Sequence, residues 1–242
     1  GLFAVYHARM FRRVENKMAH LKLSPYKKAF FGSSMLAILI FLFPTLFGEG
    51  YESIKSLAND KASLILENSL IENFKKNQWV VLLFVTLTVF LKSIATGLTL
   101  GSGGNGGNFA PSLFVGSYLG YIVSKLISIS GLKELPINNF TIVGMAGVLS
   151  GLFHAPLTAI FLIAEITGGY GLMVPLLIVS SISFAISKKF EKYSMDIIAI
   201  ADKGIVFTSD KDKNILNRIE LHHILKNDIH TLRDNDSIQE VK

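Results

Sequence analysis

Apolar positions in this chain do not recur every third or fourth residue. They run on unbroken. Residues 29–48, 93–124, 135–164 and 166–187 contain no Asp, Glu, Lys or Arg. A helix that crosses hydrocarbon needs about 20 mostly apolar residues, and each of these windows supplies that length. A core helix of a water-soluble protein would instead show a polar face at helical spacing. The pattern predicts at least five membrane-embedded helices, at roughly 29–47, 79–99, 110–128, 138–164 and 170–190, the fourth of them broken. The fold class expected is all-α, a multi-pass membrane protein. Residues 48–78 read as a loop of mixed charge.

Charge sharpens this picture. The chain has 242 residues and is 17% charged, where a soluble domain is about 25% charged. The net +6 sits entirely in residues 1–28, which hold seven basic residues and one acidic. A basic excess confined to one end argues against a nucleic-acid partner, which needs Lys and Arg spread over a folded face. By the positive-inside rule, Arg9, Arg12, Arg13, Lys17, Lys22, Lys27 and Lys28 mark the cytoplasmic side of the first span. The glycine-rich stretch after the second span then lies towards the cytoplasmic half, and the tail is cytoplasmic. The absence of Cys excludes a disulfide framework, a zinc–thiolate site and a Cys nucleophile. Scattered His residues suggest no metal site, and no triad or carboxylate pair in the apolar region suggests catalysis. A first residue of Gly, with no signal-peptide pattern after it, reads as the start of a fragment of a longer protein.

The most informative stretch runs from Gly101 to Gly116, with five glycines in its first seven residues. Each glycine costs a helix about 1 kcal/mol relative to Ala, so the span must break here. Irregular backbone at membrane depth persists only where it is buried in protein or lines a cavity. Pro111 falls in the first turn of the next helix, where a missing N–H does no harm. The start of that helix offers free N–H groups and a partial positive charge to an anion. The string Gly101-x-Gly103-x-x-Gly106 also matches a dinucleotide fingerprint. The preceding apolar segment is too long for the required strand, and no acidic residue follows until Glu134. A phosphate-binding loop fails because no Lys-Ser/Thr follows.

Gly106-Gly-Asn-Phe-Ala-Pro111 resembles the Gly-x-Phe-x-Pro signature of the CLC family of chloride channels and proton/chloride antiporters. Gly144-Met-Ala-Gly-Val-Leu-Ser-Gly-Leu-Phe-His-Ala-Pro-Leu-Thr158 resembles that family's broken helix pair. Glu165-Ile-Thr-Gly-Gly-Tyr170 resembles its Glu-x-Thr-x-x-Tyr segment, and Lys192-Tyr193-Ser194 the stretch whose tyrosine faces the anion. The resemblance spans residues 1–205, in matching order. It implies the second of two inverted repeats with an anion site between them. It implies transmembrane chloride transport, with Gly107, Asn108, Phe109 and Tyr193 as anion-binding residues. Asn108 stands where the family more often has an apolar residue, so its side chain could alter selectivity. The implied partners are the lipid bilayer, chloride, the first half of the same protein and a second copy in a homodimer, in the cell membrane. No cofactor is implied beyond the transported ion. The family's serine ligand and its gating and proton glutamates belong to the first repeat, so channel and antiporter stay undistinguished. A non-transporting structural or assembly subunit is the alternative from another class.

Other residues keep two readings. Tyr193 can donate its hydroxyl to a halide or anchor a helix end at the interface. Glu165 and His154 are intramembrane ionisable groups and so candidates for proton movement, or structural groups at helix ends. The pairs Gly116/Gly120 and Gly147/Gly151 have the spacing that lets helices pack closely. The domain expectation is a transmembrane part over 1–200 and a cytoplasmic part over 201–242, a charged linker followed by a segment that resembles the opening of a CBS domain.

Overall fold

A computed structural model describes residues 1–201, Ala199 by its backbone only. The linker and the CBS-like segment lie outside the described residues. A compact unit covers Gly1–Asp196, and Ile197 begins a second.

The long apolar runs fold as helices because backbone N–H and C=O groups without water must be satisfied within the segment itself. The helices are α1 (Leu2–Ala19), α2 (Pro25–Leu42), α3 (Tyr51–Ala58), α4 (Gln78–Gly101), α5 (Phe109–Ile129), α6 (Ile137–Phe153), α7 (Pro156–Ile166), α8 (Met173–Phe190) and α9 (Met195–Ala201), with short 3-10 turns between α2 and α4. No strand occurs among the described residues. The all-helical, multi-pass membrane class expected from the sequence is what is found: Pro25–Leu42, Gln78–Gly101, Phe109–Ile129 and Met173–Ile198 are long and apolar enough to cross a bilayer.

Two differences from the sequence pattern, and one agreement with it, have clear causes. The first span lies earlier, from Pro25 rather than 29 and ending at Leu42 rather than 47. Ser24 and Pro25 form a helix start, with Pro at a position whose N–H would be free anyway. Phe43 leaves helical geometry before Pro44, as residues preceding proline do. The fourth span is indeed broken. His154 closes α6 in left-handed geometry (φ 55°, ψ 34°), and Pro156 opens α7. Finally, the basic segment before the first span holds a full helix. α1 buries Ala4, Val5, His7, Ala8, Phe11 and Met18, one face at helical spacing, and leaves Arg9, Arg13 and Lys17 exposed. Lys28 Nζ donates to the Ala19 carbonyl (2.8 Å), tying the α1–α2 connection.

The core is built on close helix approach. An added Cβ would lie 2.5 Å from the Gly144 carbonyl oxygen at Gly116, 2.0 Å from the Phe140 oxygen at Gly120, and 2.3 Å from the Gly116 oxygen at Gly144. α5 and α6 therefore touch backbone to backbone, the arrangement small-residue spacing permits. Gly147 and Gly151 face α8, meeting Val179 and Ser183. Ser150 Oγ donates to the Ser180 carbonyl at 2.8 Å, and Ser183 Oγ to that of Gly147.

Candidate functional site

α4 ends in a tight, bonded turn. Ser102 N–H reaches Leu98 O, Gly103 N–H reaches Leu100 O, and Gly104 N–H reaches Thr99 O, at 2.9–3.1 Å. Gly103 sits at φ +94°, a conformation that favours glycine. The last two bonds make the Schellman pattern that commonly closes helices. The chain then runs through Asn105, Gly106 and Gly107 without regular structure.

Asn108 is the N-cap of α5, and its side chain makes no capping bond. Its Oδ1 is buried without a hydrogen-bond partner. Ser112 N–H takes the Asn108 carbonyl at 3.0 Å, so the amides before it are the ones helix geometry leaves without an internal acceptor. Pro111 contributes no N–H, which leaves Asn108, Phe109 and Ala110 to supply the donors at this end.

Phe109 and Ala110, with Gly107 before them, open onto a cavity of about 540 Å³, which Asn108 itself does not line. Gly107, Phe109 and Ala110 form one wall, and Thr96, Thr99 and Lys92 of α4 another. Gly107 has nothing within 4 Å of an added Cβ. It borders open space, whereas the α5–α6 glycines border backbone.

Lys92 is a residue that the hydropathy pattern did not single out. The charge-free run was counted from residue 93. Lys92 lies one residue before that count begins and is 3% exposed. Its Nζ donates to Gly48 O (2.8 Å) and Leu46 O (3.2 Å) and lies 4.6 Å from the Phe114 ring centre. The signal was present in the sequence: a single lysine inside an apolar span is a functional candidate by default.

The structure brings Gly107, Asn108 and Phe109 together at the head of α5. Tyr193 is elsewhere: it is half-buried, its ring faces Lys192 Nζ at 5.2 Å, and it does not line the cavity. A small cluster relates the two places. Met195 packs with Ala8, Phe11 and Leu152, and Leu100 of the cavity wall packs on the same group. Glu165 is exposed one residue from the end of α7. His154 packs edge-on against Phe184 at 5.8 Å. Neither faces the cavity. Among the described residues, no cluster of His, Cys, Asp or Glu could hold a metal.

Comparison with known proteins agrees with this architecture. A family model described as voltage gated chloride channel matches residues 1–188. The chain is 28% identical over 183 residues to the voltage-gated ClC-type chloride channel ClcB of Citrobacter koseri, covering 74% of this chain and 39% of that protein. It is 30% identical over 175 residues to ClcB of Salmonella typhimurium, covering 72% and 37%. It is 32% identical over 148 residues to the H(+)/Cl(-) exchange transporter ClcA of Vibrio vulnificus, covering 60% and 28%. The chain thus spans well under half the length of these relatives. No solved structure matches it.

Proposed function

The chain belongs to the voltage-gated chloride channel family, and from that premise we propose that it forms one repeat of a transmembrane chloride transporter. Relatives in this family are named both as channels and as proton/chloride exchangers. The observation that carries the reading is the uncapped head of α5 opening onto a cavity with Lys92 in its wall.

Chloride enters this site past Gly107, exchanging water for the amides of Asn108 and Phe109 at the head of α5 and for the hydroxyl of Tyr193. One helix start contributes about 0.3–2 kcal/mol to an anion, so several donors act together. Binding of that order releases as well as captures, which conduction requires. The Asn108 carboxamide oxygen is buried and the residue does not line the cavity, so the contribution of Asn108 in this reading is its backbone amide. Lys92 keeps its protons on backbone carbonyls, and Glu49 of the same cavity wall offsets its charge, so the amides carry the attraction.

In this reading the Tyr193 hydroxyl is a ligand from the run between α8 and α9, and the other half of the protein closes the site around the ion. That half supplies the remaining ligands. The exposed apolar side chains of α7 and α8, among them Leu157, Phe161, Ile166, Leu177 and Ile178, suit lipid or a second copy in a homodimer. The tail from 201 is cytoplasmic in this arrangement.

The test is chloride efflux from liposomes containing the full-length protein. Wild type is expected to pass chloride, and Tyr193→Phe to slow it or change the preference among anions. A well-folded full-length preparation with no chloride flux would overturn the proposal. Proton movement against chloride would assign it as an exchanger, and its absence as a channel.

A further inference from the structure

Tyr193 lies on a short irregular run between α8 and α9, and irregular backbone does not hold a hydroxyl in place by itself. The run is gripped from α1. Arg9 Nε donates to Glu191 Oε1 at 2.5 Å, and its Nη2 donates to the Phe190 carbonyl at 3.1 Å. Arg12 Nη2 donates to Glu191 Oε2 at 3.2 Å. Arg9 and Arg12 are three apart, so they leave α1 from neighbouring positions on one face. The Glu191 side chain is 13% exposed. Charge-assisted bonds to both oxygens of one carboxylate fix direction as well as distance.

The other side of the run is held by packing. Met195, two residues past Tyr193, sits against Ala8 and Phe11 of the same helix. Arginine contacts at 190–191 and apolar contacts at 195 thus bracket Tyr193 within six residues, all referred to one rigid element. α1 is itself fixed to α4, where Gly97 and Gly101 bring the helices to backbone contact with Phe11 and Glu15. α4 leads directly into the glycine loop. Two parts of the site are therefore measured from a common support, although Tyr193 and Asn108 lie 85 residues apart in sequence.

We propose that Arg9 and Arg12, acting through Glu191, are positioning residues for the Tyr193 hydroxyl. None of the three touches the ion. They set where the phenol stands relative to the α5 amides, and so govern affinity and selectivity without supplying a ligand. This rests on the reading of Tyr193 as an anion contact.

The experiment uses full-length protein, with chloride binding read by calorimetry in detergent and the chloride-to-nitrate flux ratio read in liposomes. Glu191→Gln is expected to weaken chloride binding by about 5-fold, as coupled neighbours commonly do, and to shift the flux ratio in the direction Tyr193→Phe shifts it. Added to Tyr193→Phe, it is expected to change neither quantity further. Arg12→Gln, which removes one arm only, gives a smaller shift of the same sign and serves if Glu191→Gln fails to fold. Equal losses from Glu191→Gln in both backgrounds would mean general destabilisation and overturn the proposal. An effect of Tyr193→Phe with none from Glu191→Gln or Arg12→Gln would overturn it while leaving the tyrosine reading intact. No effect of Tyr193→Phe would overturn both.

Discussion

Two glycine-rich regions sit side by side in this chain and do opposite things. Between α5 and α6, the missing side chains at Gly116, Gly120 and Gly144 are filled by a neighbour's backbone. In the loop before α5, Gly103 and Gly107 face nothing within 4 Å. The first region uses glycine to remove space between helices, and the second uses it to leave space for something else. Glycine content alone therefore says nothing about purpose. The question at each position is what a Cβ would meet.

Substitution can break this contrast. The largest effect is expected at Gly120, where any side chain collides with the Phe140 carbonyl. Gly120→Val should cost at least ~3 kcal/mol, because backbone cannot yield as a flexible side chain can. The full-length variant would then fail to give a monodisperse peak by size exclusion. Gly107→Val should leave thermal unfolding within ~0.5 kcal/mol of wild type, the range of substitutions that touch nothing, yet reduce chloride flux about 10-fold by occupying the cavity mouth, a change equivalent to ~1.4 kcal/mol. Equal unfolding penalties at Gly107 and Gly120 would erase the distinction. The smallest effect belongs to Gly103, where backbone geometry is at stake and contact is not. Gly103→Ala should cost ~1 kcal/mol because of its positive φ, seen as a lowered unfolding temperature with flux retained.

The membrane helices were legible because charge is missing over stretches too long for anything else. The α6–α7 break was legible because Pro156 cannot continue α6. α1 was hidden because its basic residues drew attention to orientation, although its buried positions fall at helical spacing. Lys92 was hidden by its apolar neighbours and by a count that began one residue later. The head of α5 was legible from Asn108-Phe109-Ala-Pro111 because proline and glycine leave few alternatives. The ties from Arg9 and Arg12 to Glu191 were not legible, since about 180 residues separate partners that only the packing of α1 against α8 brings together. The separation of Tyr193 from the cavity wall has the same origin: a sequence motif carries no distance between segments that lie far apart in the chain.

The closed turn at the end of α4 carries an electrostatic consequence. Two helices meet the same loop with opposite poles, the carbonyl end of α4 and the amide end of α5. Left alone, the two would nearly cancel for an ion between them. Ser102, Gly103 and Gly104 spend their N–H groups on the carbonyls of Leu98, Leu100 and Thr99, and Thr99 and Ser102 add hydroxyl donors to those of Ala95 and Leu98. The negative pole is thus neutralised from within its own chain, while the positive pole keeps its amides free. On the proposed reading, an ion approaching the loop would meet an unequal pair of dipoles, whose free amide end favours a negative charge.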